Sequence, residues 1–142
     1  MDNNDLITRT EKAFNQHDLD ALTSLFAENA IVRDPFYPSP LNGREEIRKD
    51  LEIFFKAFPD LKVKVNNKMV SKDWEAGEFE VTGTNNGPLE SPTGTISPTN
   101  RQIKIYMSSF VRVNENGLAV ENNRYYDIAG LFQQLGLQAE QV

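Results

Sequence analysis

The 142-residue sequence contains no cysteine and a single histidine, His17. Without cysteine there can be no disulfide, no thiolate metal site and no cysteine nucleophile. With one histidine, serine-type triads and histidine-rich metal centres are excluded unless His17 serves them. No apolar run approaches the ~20 residues that cross a membrane, and the N-terminus lacks a signal-peptide pattern. We therefore expect a soluble, cytoplasmic protein that uses no metal and no membrane.

Positive charge is also in short supply, with 15 Lys and Arg against 21 Asp and Glu and a net charge of −6. That balance argues against a nucleic-acid partner, which selects a basic face, and against an anionic membrane surface. Hydrophobic residues make up 39% of the chain, as in an ordinary globular protein. The length predicts one domain over residues 1–142.

The hydrophobic periodicity changes once along the chain. Residues 2–26 and 43–58 show apolar positions three and four apart, which predicts helices, with Asp18 as an N-cap where the first segment breaks. A short apolar strand is expected at residues 30–34, and residues 85–100 are rich in Gly, Pro, Ser and Thr and predict a long loop or lid. Period-two segments predict the remaining strands at 61–69, 74–84, 102–113 and 118–127. Helices followed by successive antiparallel strands indicate the α+β class.

Asn116-Gly117 joins the last two strands and is a strong signal for a two-residue hairpin turn. In that register, residues whose numbers sum to 233 face each other and point to the same side of the sheet. One side is mainly apolar near the turn. The other side becomes aromatic and hydroxyl-bearing and ends on a carboxylate; it holds Tyr106, Ser108, Phe110, Asn123, Tyr125 and Asp127.

Asp127 admits two interpretations. In a concave site beside Tyr106 and Tyr125 its carboxylate would be desolvated, which raises its pKa and suits it to take a proton next to a carbonyl group. Alternatively, Asp127 caps a short helix that starts at Ile128, since aspartate is a preferred N-cap residue. Asp34 is similarly open: it could reach the mouth of a pocket or pair with Arg33 on the strand.

Several motifs in order resemble one family. The closing segment runs Glu121-Asn-Asn-Arg-Tyr-Tyr-Asp127 and then Leu131-Phe-Gln-Gln-Leu-Gly136. It follows Asp34-Pro35, Gly43 at the start of the long helix, and Phe58-Pro59-Asp60 at its end. Thr82-Gly83-Thr84 and Pro98-Thr99-x-Arg101 lie between. Together they resemble the SnoaL-like polyketide cyclases and ester cyclases, of the nuclear-transport-factor-like and ketosteroid-isomerase-like group.

The resemblance implies a cystatin-like cone, in which a strongly curved antiparallel sheet wraps an apolar pocket closed by N-terminal helices. It also implies a homodimer through the outer face of the sheet, no cofactor, and a small apolar carbonyl-containing substrate. In the cyclases the aspartate of the closing motif is the general acid and base of an intramolecular aldol ring closure, and the matching residue is Asp127.

The expected substrate pocket contains Tyr106, Phe110, Asn123 and Tyr125 from the hairpin, together with Asn85, Phe36, Tyr37, Phe54 and Phe55. Asn85 stands where family members usually carry a histidine, and it can donate a hydrogen bond but cannot shuttle a proton. Phe36 and Tyr37 could line the pocket or plug it. Two alternatives to a cyclase stay open: a non-catalytic module that binds a hydrophobic ligand, and a dimeric scaffold whose pocket is filled by its own aromatic side chains.

Overall fold

The structure, a computed structural model, describes residues 5–137. The start of the first predicted helical segment, residues 2–4, and the end of the predicted domain, residues 138–142, lie outside this range. In chain order the elements are α1 (Leu6–Asn15), α2 (Leu19–Ser24), β1 (Phe26–Arg33), β2 (Leu41–Asn42), α3 (Gly43–Ala57), β3 (Lys62–Val70), β4 (Trp74–Thr84), β5 (Leu89–Ser91), β6 (Gly94–Ile96), β7 (Gln102–Val113), β8 (Ala119–Tyr125) and α4 (Ile128–Gln134).

The two N-terminal helices each begin at an aspartate that caps them. Asp5 accepts a hydrogen bond from the Thr8 backbone N–H at 2.9 Å, and Asp18 accepts one from Ala21 at 3.0 Å. The predicted N-cap at Asp18 is therefore confirmed. The predicted helical segment extends too far, however, because the chain turns into strand β1 already at Phe26.

Within the described residues, six strands form one sheet in the order β2-β1-β8-β7-β4-β3. This curved sheet with its helices confirms the α+β class and the ketosteroid-isomerase-like cone. The sheet is not wholly antiparallel as expected, because β1 runs parallel to β8. The chain passes from β1 through β2 and α3 to β3 at the opposite edge of the sheet, and the antiparallel strands β3, β4, β7 and β8 then lead back until β8 lies beside β1. No helix within residues 5–137 is long and apolar enough to cross a bilayer.

The segment 85–100 is not the single long loop that its composition predicts. Leu89–Ser91 and Gly94–Ile96 pair as a small antiparallel hairpin, and Leu89 is fully buried against the end of α3 and its neighbours. Local pairing and one buried leucine therefore give order to a stretch that is otherwise rich in turn residues.

The register of the last hairpin follows the predicted sum of 233 from Ser108–Tyr125 to Arg112–Glu121. An irregularity next to the turn shifts the final pair to Val113–Ala119. The two predicted sets of side chains therefore do lie on opposite sides of the sheet. Their assignment to inside and outside is the reverse of the expectation, as the site shows.

Candidate active site

A cavity of about 180 Å³ lies between the inner face of the sheet and helices α1 and α3. That volume is below the ~300 Å³ typical of drug-sized sites but above the ~150 Å³ of a cavity that admits benzene. It therefore suits a single ring-sized molecule or part of a larger one. Its wall is mostly apolar, with aromatic rings from Phe14, Phe26, Phe54, Phe55, Phe79 and Tyr126 and polar side chains from Thr10, Glu11, Asp34, Asp50, Ser109, Asn122 and Arg124.

The polar end of the cavity is a buried network centred on Arg124. Its Nη1 donates to Asp34 Oδ2 at 3.0 Å and to Asp50 Oδ2 at 2.9 Å. Each carboxylate also accepts a hydrogen bond from a phenol. Tyr126 Oη donates to Asp34 Oδ1 at 2.7 Å, and Tyr37 Oη donates to Asp50 Oδ1 at 2.6 Å. One guanidinium, two carboxylates and two phenols thus form a continuous set of charge-assisted hydrogen bonds.

Local sequence places Asp34 at this network. It follows the last residue of β1 and precedes Pro35, which keeps it extended and so ends the strand. The backbone N–H of Phe36 donates to Asp34 Oδ1 at 2.9 Å, which closes a turn at the carboxylate. Of the two possibilities for Asp34, pocket mouth or pairing with Arg33, the structure shows a buried pocket residue, while Arg33 pairs with Glu121.

Asp50 enters the network from the buried side of α3. It lies three residues after Ile47 and four before Phe54, so one face of the helix presents all three inward. Its side chain is only 3% exposed. Sequence reasoning missed this residue. The signal that could have found it is a carboxylate within an otherwise apolar helical stripe, since such a group is buried only when it is paired.

Burial sets the protonation behaviour of the network. Desolvation raises the pKa of Asp50 above its ordinary value of 3.8, and the negative charge of Asp34 adds to this, although Arg124 opposes it. Desolvation and the neighbouring carboxylates also raise the pKa values of Tyr37 and Tyr126, so both phenols keep their protons and act as donors. Asp50 is therefore a carboxyl group in the cavity wall whose pKa is raised by its surroundings.

Asp127, the predicted acid and base, lies elsewhere. Its side chain is exposed, accepts a hydrogen bond from the Gly130 backbone N–H at 2.9 Å and caps α4. It is not among the residues that line the cavity. The expectation of a pocket carboxylate at this position is corrected in favour of the helix cap. The alternation of β8 explains it, because Asn122, Arg124 and Tyr126 point inward and odd-numbered neighbours point outward.

The four predicted pocket residues from the hairpin share this reversal. Tyr106, Phe110 and Tyr125 lie on the outer face of the sheet and are 65%, 46% and 59% exposed. Asn123 is on the same face, where its side chain meets Arg33 at 3.0 Å. None of the four lines the cavity, so their assignment to the pocket is corrected.

Asn85 is also outside the cavity and has a structural role. It is fully buried, and its Nδ2 donates to the carbonyls of Ala57 at 3.2 Å and Gly87 at 2.9 Å. Its Oδ1 accepts from both the backbone N–H and the hydroxyl of Thr99, each at 2.9 Å. All of its polar atoms are used to join the end of α3 to the segment before β7, which leaves none for a substrate.

The remaining predicted residues are aromatic. Phe54 and Phe55 lie in the cavity wall. Phe36 is buried in the core, 4.9 Å between ring centroids from Phe54, and does not line the cavity. Tyr37 does not line it either, but reaches the site through its bond to Asp50. No group of three or more His, Cys, Asp or Glu side chains in the described part of the chain is arranged to hold a metal ion.

The cone and its enclosed cavity define a protein of the ketosteroid-isomerase-like fold. The SnoaL-like polyketide cyclase family model matches residues 4–135, and the chain belongs to that family. No protein of curated function matches the sequence.

Solved structures with this fold include proteins connected with different chemistry. IdmH from Streptomyces antibioticus, a proposed polyketide cyclase, is 26% identical, with a TM-score of 0.73 over 93% of this chain and 96% of that one. AclR from Streptomyces galilaeus, a proposed hydroxylase, is 23% identical, with a TM-score of 0.77 over 92% and 78%. A Catenulispora acidiphila protein solved with trimethylamine is 20% identical, with a TM-score of 0.78 over 96% of both chains.

Proposed function

We propose that this protein is a cyclase-type acid–base catalyst that moves a proton on a small, apolar carbonyl compound, with Asp50 rather than Asp127 as the proton carrier. The observation that supports this most directly is a buried, strongly hydrogen-bonded carboxylate in the wall of an apolar cavity. Membership of the SnoaL-like family supports the class of reaction. The proposed reaction requires no cofactor.

In the proposed reaction, Asp50 takes a proton from a carbon between two carbonyl groups of the substrate. The electron pair of the broken C–H bond delocalises onto a carbonyl oxygen as an enolate. The enolate carbon attacks a second carbonyl in the same molecule and forms a carbon–carbon bond, which leaves an alkoxide. Asp50 then returns its proton to the alkoxide, so the carboxylate is regenerated. The apolar wall holds the reacting ends together, which supplies part of the acceleration.

The experiment is deuterium exchange at the α-carbon of 2-indanone and of ethyl benzoylacetate in D₂O, followed by proton NMR. We expect Asp50→Asn to lower the protein-dependent exchange rate by about 10²-fold or more, the usual contribution of a placed acid–base group. Asp127→Asn is the matched control and should keep the wild-type rate. Loss of exchange in Asp127→Asn with retention in Asp50→Asn would reverse the assignment.

A binding module remains the second candidate, and one observation favours it: both oxygens of Asp50 already accept hydrogen bonds from Tyr37 and Arg124. In that case the network stabilises the cavity and performs no chemistry. Saturable binding of both carbonyl probes, without exchange above the buffer rate, would select this candidate.

We also propose a homodimer through the outer sheet face. Tyr106, Phe110 and Tyr125 expose large rings there, more than single scattered apolar side chains require. Sedimentation velocity over a dilution series should show a dimer, and Phe110→Asp should shift it to monomer. A wild-type protein that sediments as a monomer throughout would remove this proposal.

A further inference from the structure

The hydrogen-bond donors at the polar end of the cavity are only partly used. Arg124 has five N–H groups, and both of its bonds within residues 5–137 come from Nη1. Nη2 and Nε make none in that range. Asn122, two residues earlier on β8, receives the Ser109 hydroxyl on Oδ1 at 2.6 Å, and its Nδ2 likewise donates to nothing in the described part of the chain.

These unused N–H groups must face open space. No buried side-chain nitrogen or oxygen among the described residues lacks a hydrogen-bond partner. The free nitrogens of Asn122 and Arg124 therefore keep some accessible surface. Both residues line the cavity, which is the space to which we assign their free N–H groups.

The strand geometry brings the two donors together. Residues 122 and 124 alternate onto the same face of β8, with Cα atoms about 7 Å apart. A carbonyl oxygen has two lone pairs and can accept from both side chains at once. Asp50 is held at 2.9 Å from the same guanidinium, so the proton acceptor and the donors flank one volume of the cavity.

The charges of the side chains at the site favour a substrate oxygen that becomes negative during the reaction. The guanidinium is matched by Asp34, and Asp50 supplies a further negative charge. When Asp50 takes a proton, that charge moves to the substrate oxygen, and the total charge of the site stays constant. Donors already placed at the position of developing charge stabilise it without reorganisation.

We infer that Arg124 and Asn122 hold the carbonyl oxygen of an enolisable ketone or ester and stabilise its enolate. This inference rests on the proposed function. It adds that the carbonyl end of the substrate faces β8. A permanently anionic carboxylate is a poor candidate for the same position, because it would add to the uncompensated charge of Asp50.

The test uses 4-nitrophenol and its more and less acidic relatives, in which the ionised oxygen stands for the enolate. Absorbance reports directly whether the bound probe is phenol or phenolate. At a pH below each probe's own pKa, we expect the wild-type protein to hold the probe as phenolate, because the phenol passes its proton to Asp50 and the total charge of the site stays constant. Asn122→Leu should lower the ratio of bound phenolate to bound phenol by about ten- to hundredfold, the effect of one lost hydrogen bond to a charged group.

Asn123→Leu is the matched control, one residue away but on the outer face, and should leave the ratio unchanged. Arg124→Lys keeps the charge but loses the planar donor edge, and should lower the ratio as well. Thermal unfolding of each variant shows whether the fold is retained. A wild-type protein that binds only neutral phenol, or binds no probe at millimolar concentration, overturns the inference, as does an unchanged ratio in a folded Asn122→Leu.

Asp50→Asn separates this inference from the proposed function. It removes the proton acceptor but leaves the free N–H groups, and its neutral amide has the charge of a protonated Asp50. Phenolate binding should therefore persist, with the proton released to solvent, while deuterium exchange is lost. If exchange is absent in wild type but phenolate binding depends on Asn122, the donor pair stands and the catalytic proposal fails. If deuterium exchange depends on Asp50 but the bound probes stay neutral phenols, the catalytic proposal stands and the donor pair is overturned.

Discussion

The two faces of the β7–β8 hairpin have nearly the same chemistry and opposite surroundings. The inner face presents Asn122, Arg124 and Tyr126, and the outer face presents Asn123, Tyr125 and Arg112. Each face therefore offers an amide, a phenol and a guanidinium. What differs is what lies opposite: Asp34 and Asp50 come from β1 and α3 on the inside, whereas Tyr125 and Arg112 on the outside are exposed in the single chain. A site in this fold is defined by the elements that cover a strand more than by the strand itself.

The two arginines show the difference in energetic terms. The Arg124 side chain is 14% exposed and bonds two carboxylates, whereas Arg112 is 49% exposed and lies 3.3 Å from Glu121. An exposed ion pair contributes little because water screens it. A buried pair is costly to break, because the partner charges are then left without compensation.

Replacing the two arginines should give the largest difference in stability between the inner and outer faces. Arg124→Met should lower the free energy of unfolding by about 3–5 kcal/mol, because Asp34 and Asp50 lose their shared cation. Arg112→Met should cost about 0–1 kcal/mol. Urea unfolding of both variants measures the two losses. Equal losses would mean that the inner network is screened as well as the surface pair.

The two phenols give the next largest contrast. Tyr126→Phe removes a 2.7 Å hydrogen bond to Asp34 and should cost about 1.5–3 kcal/mol, the range for bonds to charged groups. Tyr125→Phe is its neighbour on the exposed face and should leave stability unchanged. The same unfolding measurement applies. A larger loss in Tyr125→Phe would place the important hydroxyl on the outer face.

The helix-cap role of Asp127 can be tested against a catalytic role. Asp127→Ala removes the N-cap of α4 and should cost about 1 kcal/mol, without slowing deuterium exchange. Asp18→Ala removes the equivalent cap of α2 and should cost a similar amount. A fall in exchange rate in Asp127→Ala alone, with stability intact, would return Asp127 to the chemistry.

The smallest expected effect is a gradual change of the free energy of unfolding with pH. Because burial raises the folded-state pKa of Asp50 above its unfolded value, the native protein holds this proton longer than the unfolded chain. The contribution of Asp50 to stability is therefore present at low pH and falls as pH rises through the folded-state pKa. Relative to wild type, Asp50→Asn should become progressively more stable with rising pH. Parallel stability curves for the two proteins would show that Asp50 does not titrate differently on folding.

Most of the fold could be predicted because it follows from local patterns. The stripe of α3, the span of β4 at Trp74–Thr84 and the hairpin register from Ser108 to Arg112 all depend on periodicity or turn chemistry. The parallel β1–β8 pair could not be predicted in this way, since no local pattern records which distant strand lies alongside.

The site was harder because its residues are far apart in the chain. Arg124 meets carboxylates 74 and 90 residues earlier, and neither face of its strand identifies itself as the inner one. Asp127 is the carboxylate of the closing motif, yet it stands directly before α4, and its side chain caps that helix. Asp50 was not predicted, although a charged residue within the apolar stripe of α3 is a local signal that could have identified it.

The parallel pairing of β1 with β8 also has a consequence for the order of assembly. As the chain leaves the ribosome, β1 emerges more than eighty residues before its long partner, with only the two-residue strand β2 available to it. Its open edge is a candidate for pairing with other nascent chains. Contacts of such long sequence separation are slow to form. Closure of the sheet, and with it the meeting of Arg124 with both carboxylates, is thus a late event in folding, and a chain arrested before β8 would have neither a finished sheet nor a polar end to its cavity.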